Sequence, residues 1–111
     1  MKLPEIIKAI DAEVKVGQEL IAEKEVKGGY ISDLLSDVMG HAREGELWLT
    51  IQTHPNVVAV ALLLNLPAVL FTAGQIPEPM TIEKAGEEGI VLLTTAMSTY
   101  EAAGRLYALL H

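Results

Sequence analysis

The sequence predicts an α/β fold, a three-layer sandwich with a mostly parallel or mixed sheet of about five strands and helices on both faces. Three observations lead there. Leu47-Trp48-Leu49-Thr50, Val69-Leu70-Phe71-Thr72 and Val91-Leu92-Leu93-Thr94 are apolar runs that each end in threonine, and the threonines are 22 residues apart. Each run is followed by a polar or glycine-bearing loop and then a helical pattern. The runs are apolar on both faces, as parallel strands covered by helices must be. A strand of about 5 residues, two short loops and a helix of about 11 sum to roughly 22. The spacing therefore reads as strand–helix alternation rather than a solenoid repeat.

Taken in order, Pro4 suits the first turn of a helix from Leu3 to Asp11, with Ile6, Ile7 and Ile10 as its apolar face. Glu13-Val14-Lys15-Val16-Gly17 alternates polar and apolar, as a half-buried strand does. Residues 18–25 read as a loop with a helical turn. Val26 to Ile31 is a second strand, whose Gly28-Gly29 pair implies close approach by another part of the chain. Ser32 is an N-cap residue, and Leu34, Leu35, Val38, Met39 and Ala42 follow at helical spacing up to the Gly45 turn. The three threonine-ended strands come next. Their helices are Pro55 to Asn65, Pro79 to Glu88 (ended by Gly89) and Ser98 to Leu110. The last opens on the capping-box pattern Ser98-Thr99-Tyr100-Glu101 and places Tyr100, Ala103, Tyr107 and Leu110 on one face.

Composition narrows the function. The chain has 111 residues, the size of one domain, and half of them are hydrophobic, enough for a packed core. The longest apolar run, Val57 to Leu64, is far short of the roughly 20 residues of a membrane span. The start, MKLPEIIKAID, is not a signal peptide, and a cytoplasmic location is expected. With no cysteine, disulfides, thiolate metal sites and cysteine nucleophiles are excluded. The formal charge of −7 and the lack of a basic stripe argue against nucleic acid. His41, His54 and His111 lack metal-ligand spacing, so no metal or cofactor is expected. Neither GxxxxGK[ST], GxGxxG nor GxSxG occurs.

Parallel strands end at a common edge, and ligands of such sheets bind beyond it. Thr50, Thr72 and Thr94 mark that edge. The loops Gln52 to Asn56, Ala73 to Pro79 and Thr95 to Thr99 should converge there. Thr53, His54, Asn56, Thr72, Gly74, Thr94, Thr95, Ser98 and Thr99 are the candidate ligand-binding residues, supplying hydroxyls, an imidazole and close backbone approach. His54 stands in N-cap position before Pro55. As a general base it needs a partner in reach: Thr53, Asn56, Asp33 or the Ser98–Thr99 loop. Asp33 and Asp37, four apart, read as the solvated side of a helix. No Lys or Arg lies in the three loops, so a tightly held polyphosphate is disfavoured against a modest anion, a neutral metabolite or a protein segment.

The ordered segments GGYISDLLSDVM, GELWLTIQTHPNVVAVALLL, LPAVLFTAGQIPEP and EEGIVLLTTAMSTYEAAGRL resemble the DRTGG domain, related to the N-terminal domain of HPr kinase/phosphorylase. The resemblance runs from about Val14 onward. It assigns Ser32 and Asp33 to the serine or aspartate after the second strand. Thr72-Ala73-Gly74 matches the threonine-glycine turn, and Thr94 to Thr99 the threonine-rich turn before the last helix. Ala73 departs from the glycine usual in that turn. The resemblance implies an α/β sandwich and an accessory regulatory or ligand-binding module of the kind found beside kinase, acetyltransferase or CBS domains.

The resulting expectation is one non-catalytic regulatory domain over residues 1–111, binding a small molecule or a partner protein at the threonine-marked edge. It is expected to self-associate as a homodimer. Two rival readings stand beside it: a small enzyme using His54 with Ser98 or Thr99, and a pure assembly subunit.

Overall fold

The computed structural model describes every residue from Met1 to His111. Five strands form one sheet: β1 (Glu13–Val16), β2 (Gly28–Ile31), β3 (Glu46–Thr50), β4 (Val69–Phe71) and β5 (Leu92–Thr94). Their order is β1-β5-β4-β3-β2. Strands β2 to β5 are parallel, and β1 runs antiparallel against β5. The sheet is therefore mixed, with five strands and helices on both faces, as the sequence predicts.

Each strand–helix unit returns the chain to a neighbouring parallel strand. Helices α2 (Leu35–His41), α3 (Asn56–Leu63) and α4 (Pro79–Glu88) are the crossovers, and all three cover one face. Helices α1 (Leu3–Ala9) and α5 (Thr99–Leu110) cover the other. Strand alternation divides the core accordingly. Trp48, Val69, Phe71 and Leu92 pack against Val38, Val57, Ala61 and Ala85. Leu47, Leu49, Leu70 and Leu93 pack against Leu3, Ile6, Ala102 and Leu106. Strands β4 and β5 are buried along their whole length, which is why they show no polar alternation.

Local chemistry sets the helix ends. Helix α4 starts at Pro79, whose missing N–H costs nothing in a first turn, and stops at left-handed Gly89. Asn65, at φ 54°, turns the chain after α3. Ser98 caps α5 by accepting from the Glu101 N–H at 3.1 Å. The Glu101 side chain turns instead to Arg105, 3.6 Å away, so the reciprocal half of the capping box is not made.

The structure corrects several boundaries. Helix α1 ends at Ala9, because Asp11 adopts φ 51° and reverses the chain into β1. Ser32 does not cap α2: it accepts from the Leu34 N–H in a tight turn, and the helix begins at Leu35 with Leu34 at the cap. The buried stripe of α5 is Ala102 and Leu106, while Tyr100 and Tyr107 face outward. In register, Thr50 and Thr94 are both abreast of Phe71, not Thr72. The equal spacing in sequence is thus not an equal spacing in the sheet.

The paired glycines of β2 have different surroundings. A Cβ on Gly29 would lie 2.7 Å from Leu106 Cδ2, so α5 packs directly on this backbone, whereas the nearest atoms to a Cβ on Gly28 belong to the Glu46 side chain at 3.7 Å or more. Gly29→Val should lower stability by about 1–3 kcal/mol through overpacking. Gly28→Val should stay within about 0.5 kcal/mol. Urea unfolding of both variants, followed by circular dichroism, checks the contrast.

Candidate functional site

The carboxyl ends of β2 to β5 share one edge, and hydrogen bonds interlock the loops beyond them. The Trp48 indole donates to the Ser32 carbonyl at 2.9 Å and pins the end of β2. Asp33 Oδ1 then accepts from the Thr50 hydroxyl at 2.8 Å and from the Ile51 N–H at 2.9 Å, and Thr50 Oγ1 accepts from the Gln52 N–H. The Thr53 carbonyl accepts from the Thr81 hydroxyl at 2.6 Å and from the Glu78 N–H at 3.2 Å, tying the β3 loop to the start of α4.

On the other side of β4 the stitching repeats. Thr72 and Thr99 share a hydrogen bond of 2.5 Å between their hydroxyls. The Ala73 N–H donates to Met97 and the Gly74 N–H to Thr95, so the loops after β4 and β5 hold one another. The Thr95 hydroxyl donates to the Ile10 carbonyl at 2.9 Å and accepts from the Met97 N–H. Thr50, Thr72, Thr94 and Thr95 are all buried, and no wholly buried side-chain polar atom lacks a partner.

The β4 loop meets each of the other two, and the cavity at this edge touches only the β4 and β5 loops. An open cavity of about 440 Å³ is lined by Gly74, Ile76, Thr94, Thr95 and Ala96 and by Asp11 and Glu13. Thr94 alone among the buried edge threonines makes no side-chain hydrogen bond within the chain, so its hydroxyl is available to this cavity. Ser32, Asp33, Thr53, His54, Asn56, Thr72, Ala73, Ser98 and Thr99 lie at the same edge outside the cavity lining.

Sequence reasoning missed Asp11 and Glu13. They arrive because β1 is antiparallel: Glu13 pairs with Thr94, which puts the start of β1 beside the end of β5. No sequence pattern gives a strand's direction. The result is an acidic rim with no Lys or Arg in the lining.

His54 lies one residue before the Pro55 cap, and its Nδ1 accepts from the Asn56 N–H at 3.1 Å. Ser98 is occupied by its cap and Thr99 by Thr72. The interlocked β4 loop lies between the β3 loop and Ser98–Thr99, and His54 has no bond to either residue. Asp33 and Asp37 do not share a helix face, because α2 begins after Asp33. No group of three or more His, Asp or Glu side chains is placed to hold a metal ion.

Beside this edge, Asp37 accepts from the Tyr30 hydroxyl at 2.8 Å and lies 3.1 Å from His41 Nδ1. The Tyr30 bond is the main reason that the Asp37 carboxyl titrates below its ordinary range, with smaller contributions from Ser32 and His41. The same bond pushes the Tyr30 phenol up.

These features define a mixed-sheet α/β module with a polar, acid-rimmed carboxyl edge. The fold is similar to the crystal structure of the CBS and DRTGG domains of the regulatory region of Clostridium perfringens pyrophosphatase, complexed with the activator diadenosine tetraphosphate. The TM-score is 0.72 at 20% identity, over 95% of this chain and 45% of that one. The likeness supports a DRTGG-related fold. No protein-family model and no curated protein sequence matches the chain. No helix is long and apolar enough to cross a membrane.

Two expectations follow. Ala73 holds φ 56°, at the position where the resemblance to DRTGG domains leads to an expectation of glycine. A left-handed L-residue costs about 1–2 kcal/mol, and glycine's extra unfolded freedom offsets about 0.5–1 kcal/mol of the relief. Ala73→Gly should therefore raise stability by roughly 0.5–1 kcal/mol in denaturant unfolding. The lowered Asp37 value contributes stability that is present above the unfolded carboxylate range, near pH 4, and is lost as pH falls through the folded value. Tyr30→Phe removes the largest cause, so its melting temperature should fall less steeply than that of the parent below about pH 4.

Proposed function

We propose that this chain is one non-catalytic, DRTGG-like regulatory domain that binds a small neutral or cationic molecule at the carboxyl edge of its sheet. The observation that carries this reading is the cavity beside Gly74, whose lining brings Thr94, with no side-chain bond in the chain, together with the carboxylates of Asp11 and Glu13. A ligand with a hydrogen-bonding group for Thr94 and a neutral or positive end toward the carboxylates fits that chemistry. A polyphosphate does not. The Ala73 and Gly74 N–H groups already donate inside the chain and are not left to cradle an anion, and the net charge of −7 opposes one.

A non-catalytic role is supported by where the polar groups are spent. General-base catalysis needs a nucleophile and base within hydrogen-bond reach. His54, Ser98 and Thr99 instead serve helix starts and loop stitching. The regulatory part of the reading draws on the resemblance to DRTGG domains and on the neighbour, a regulatory region that binds an activator.

The test is a thermal-shift screen of neutral, cationic and polyphosphate metabolites. A neutral or cationic compound should raise the melting temperature, and at 100 times its Kd the stabilisation amounts to about 2.7 kcal/mol. Thr94→Val and Glu13→Gln should each weaken that response, and His54→Ala should leave it intact. A polyphosphate as the strongest stabiliser, or loss of the response in His54→Ala alone, would overturn the reading.

A further inference from the structure

The outer face of α3 breaks the usual rule for a surface helix. From Leu47 to Pro77 the sequence contains no Asp, Glu, Lys or Arg, although the chain carries 23 such residues (8 basic and 15 acidic). Helix α3 lies wholly inside that stretch and is apolar all round, the composition of a helix that is covered on every side. Yet Leu63 is 67% exposed and Leu62 47% exposed, and Ala59 is exposed one turn earlier. Together with Lys84 and Glu88 of α4 these residues line a depression of about 530 Å³.

We infer that this α3–α4 face is where two copies of the chain associate. The inference rests on the expectation of self-association and is independent of the ligand reading. Charge argues for a second copy over another partner. Lys84 and Glu88, four residues apart on α4, form no ion pair within the chain. A two-fold contact is self-complementary, and a rim with one residue of each sign can pair with its own copy. An antiparallel two-fold places Lys84 of each copy against Glu88 of the other. Two copies that each carry −7 meet with least repulsion across α3, which bears no charged residue, with the exposed Glu83 and Glu87 of α4 outside the lining of the depression.

The contact is small. Helices of eight and ten residues are roughly 12–15 Å long. Set side by side at about 10 Å they give a footprint below the roughly 800 Å² per partner of a standard interface. The dimer should therefore be reversible, with Kd on the order of 100 µM.

Sedimentation equilibrium of the full chain from about 10 µM to 1 mM tests this. The parent should dimerise, and Leu63→Asp should weaken the dimer at least about tenfold without changing the circular dichroism spectrum. Lys84→Glu should weaken it a few-fold, and adding Glu88→Lys in the same chain should restore it. The control is Ile31→Asp, which makes the same charge change beside the other apolar groove, between β2 and α5. A parent that stays monomeric throughout defeats self-association itself. A dimer that survives Leu63→Asp but is lost in Ile31→Asp defeats only the assignment to α3 and α4.

Discussion

The three central strands, β3, β4 and β5, are buried on both faces up to their carboxyl ends, and the rest of the structure answers to that. Strands β3, β4 and β5 carry their last residues into surroundings where an unpaired polar group costs roughly 1–3 kcal/mol. Threonine meets the constraint well. Its β-branched body fits a strand, and its hydroxyl can both donate and accept. Thr50 links to Asp33, Thr72 to Thr99, Thr81 to the Thr53 carbonyl and Thr95 to the Ile10 carbonyl. Each bond crosses between elements distant in sequence. The threonines that mark the edge in the sequence are chiefly the stitches that hold its loops in place.

This bears directly on function. An edge whose polar groups are mostly engaged with one another offers little loose chemistry, and what remains free becomes informative. Thr94 makes no side-chain bond although it shares a sheet face with Thr50, whose hydroxyl has Asp33 beside it, while Thr72 and Thr95, on the other face, meet α5 and α1. The antiparallel β1 then delivers two carboxylates beside it. The same logic accounts for His54, whose ring nitrogen is engaged by a helix-opening N–H.

The apolar character of α3 has a parallel explanation. Its inner face packs on the sheet between α2 and α4, which accounts for Val57, Val58, Val60 and Ala61. Nothing in the single chain accounts for Leu62 and Leu63. Their exposure, beside one lysine and one glutamate without partners, is the surface counterpart of the crowded edge: groups left over once the fold has satisfied itself.

Much of this architecture was legible in the residues alone. The alternation of apolar runs with capped helical patterns determined a layered α/β fold with a largely parallel sheet, because a strand apolar on both sides has to be covered on both sides. Pro79 and Gly89 determined the limits of α4, and Ser98 the start of α5, since these residues act within one turn of themselves. The candidate edge was legible for the same reason: strand-to-helix loops must emerge there. Tertiary structure alone decided the direction of β1, the alignment of Thr50 and Thr94 with Phe71, and the partner of every threonine hydroxyl. It also moved the start of α2 past Ser32, whose hydroxyl serves a turn, and brought Asp11 and Glu13 to the cavity. Local patterns report what a residue does to its own few neighbours. Which distant donor meets which acceptor depends on how the layers pack, and that is a property of the whole chain.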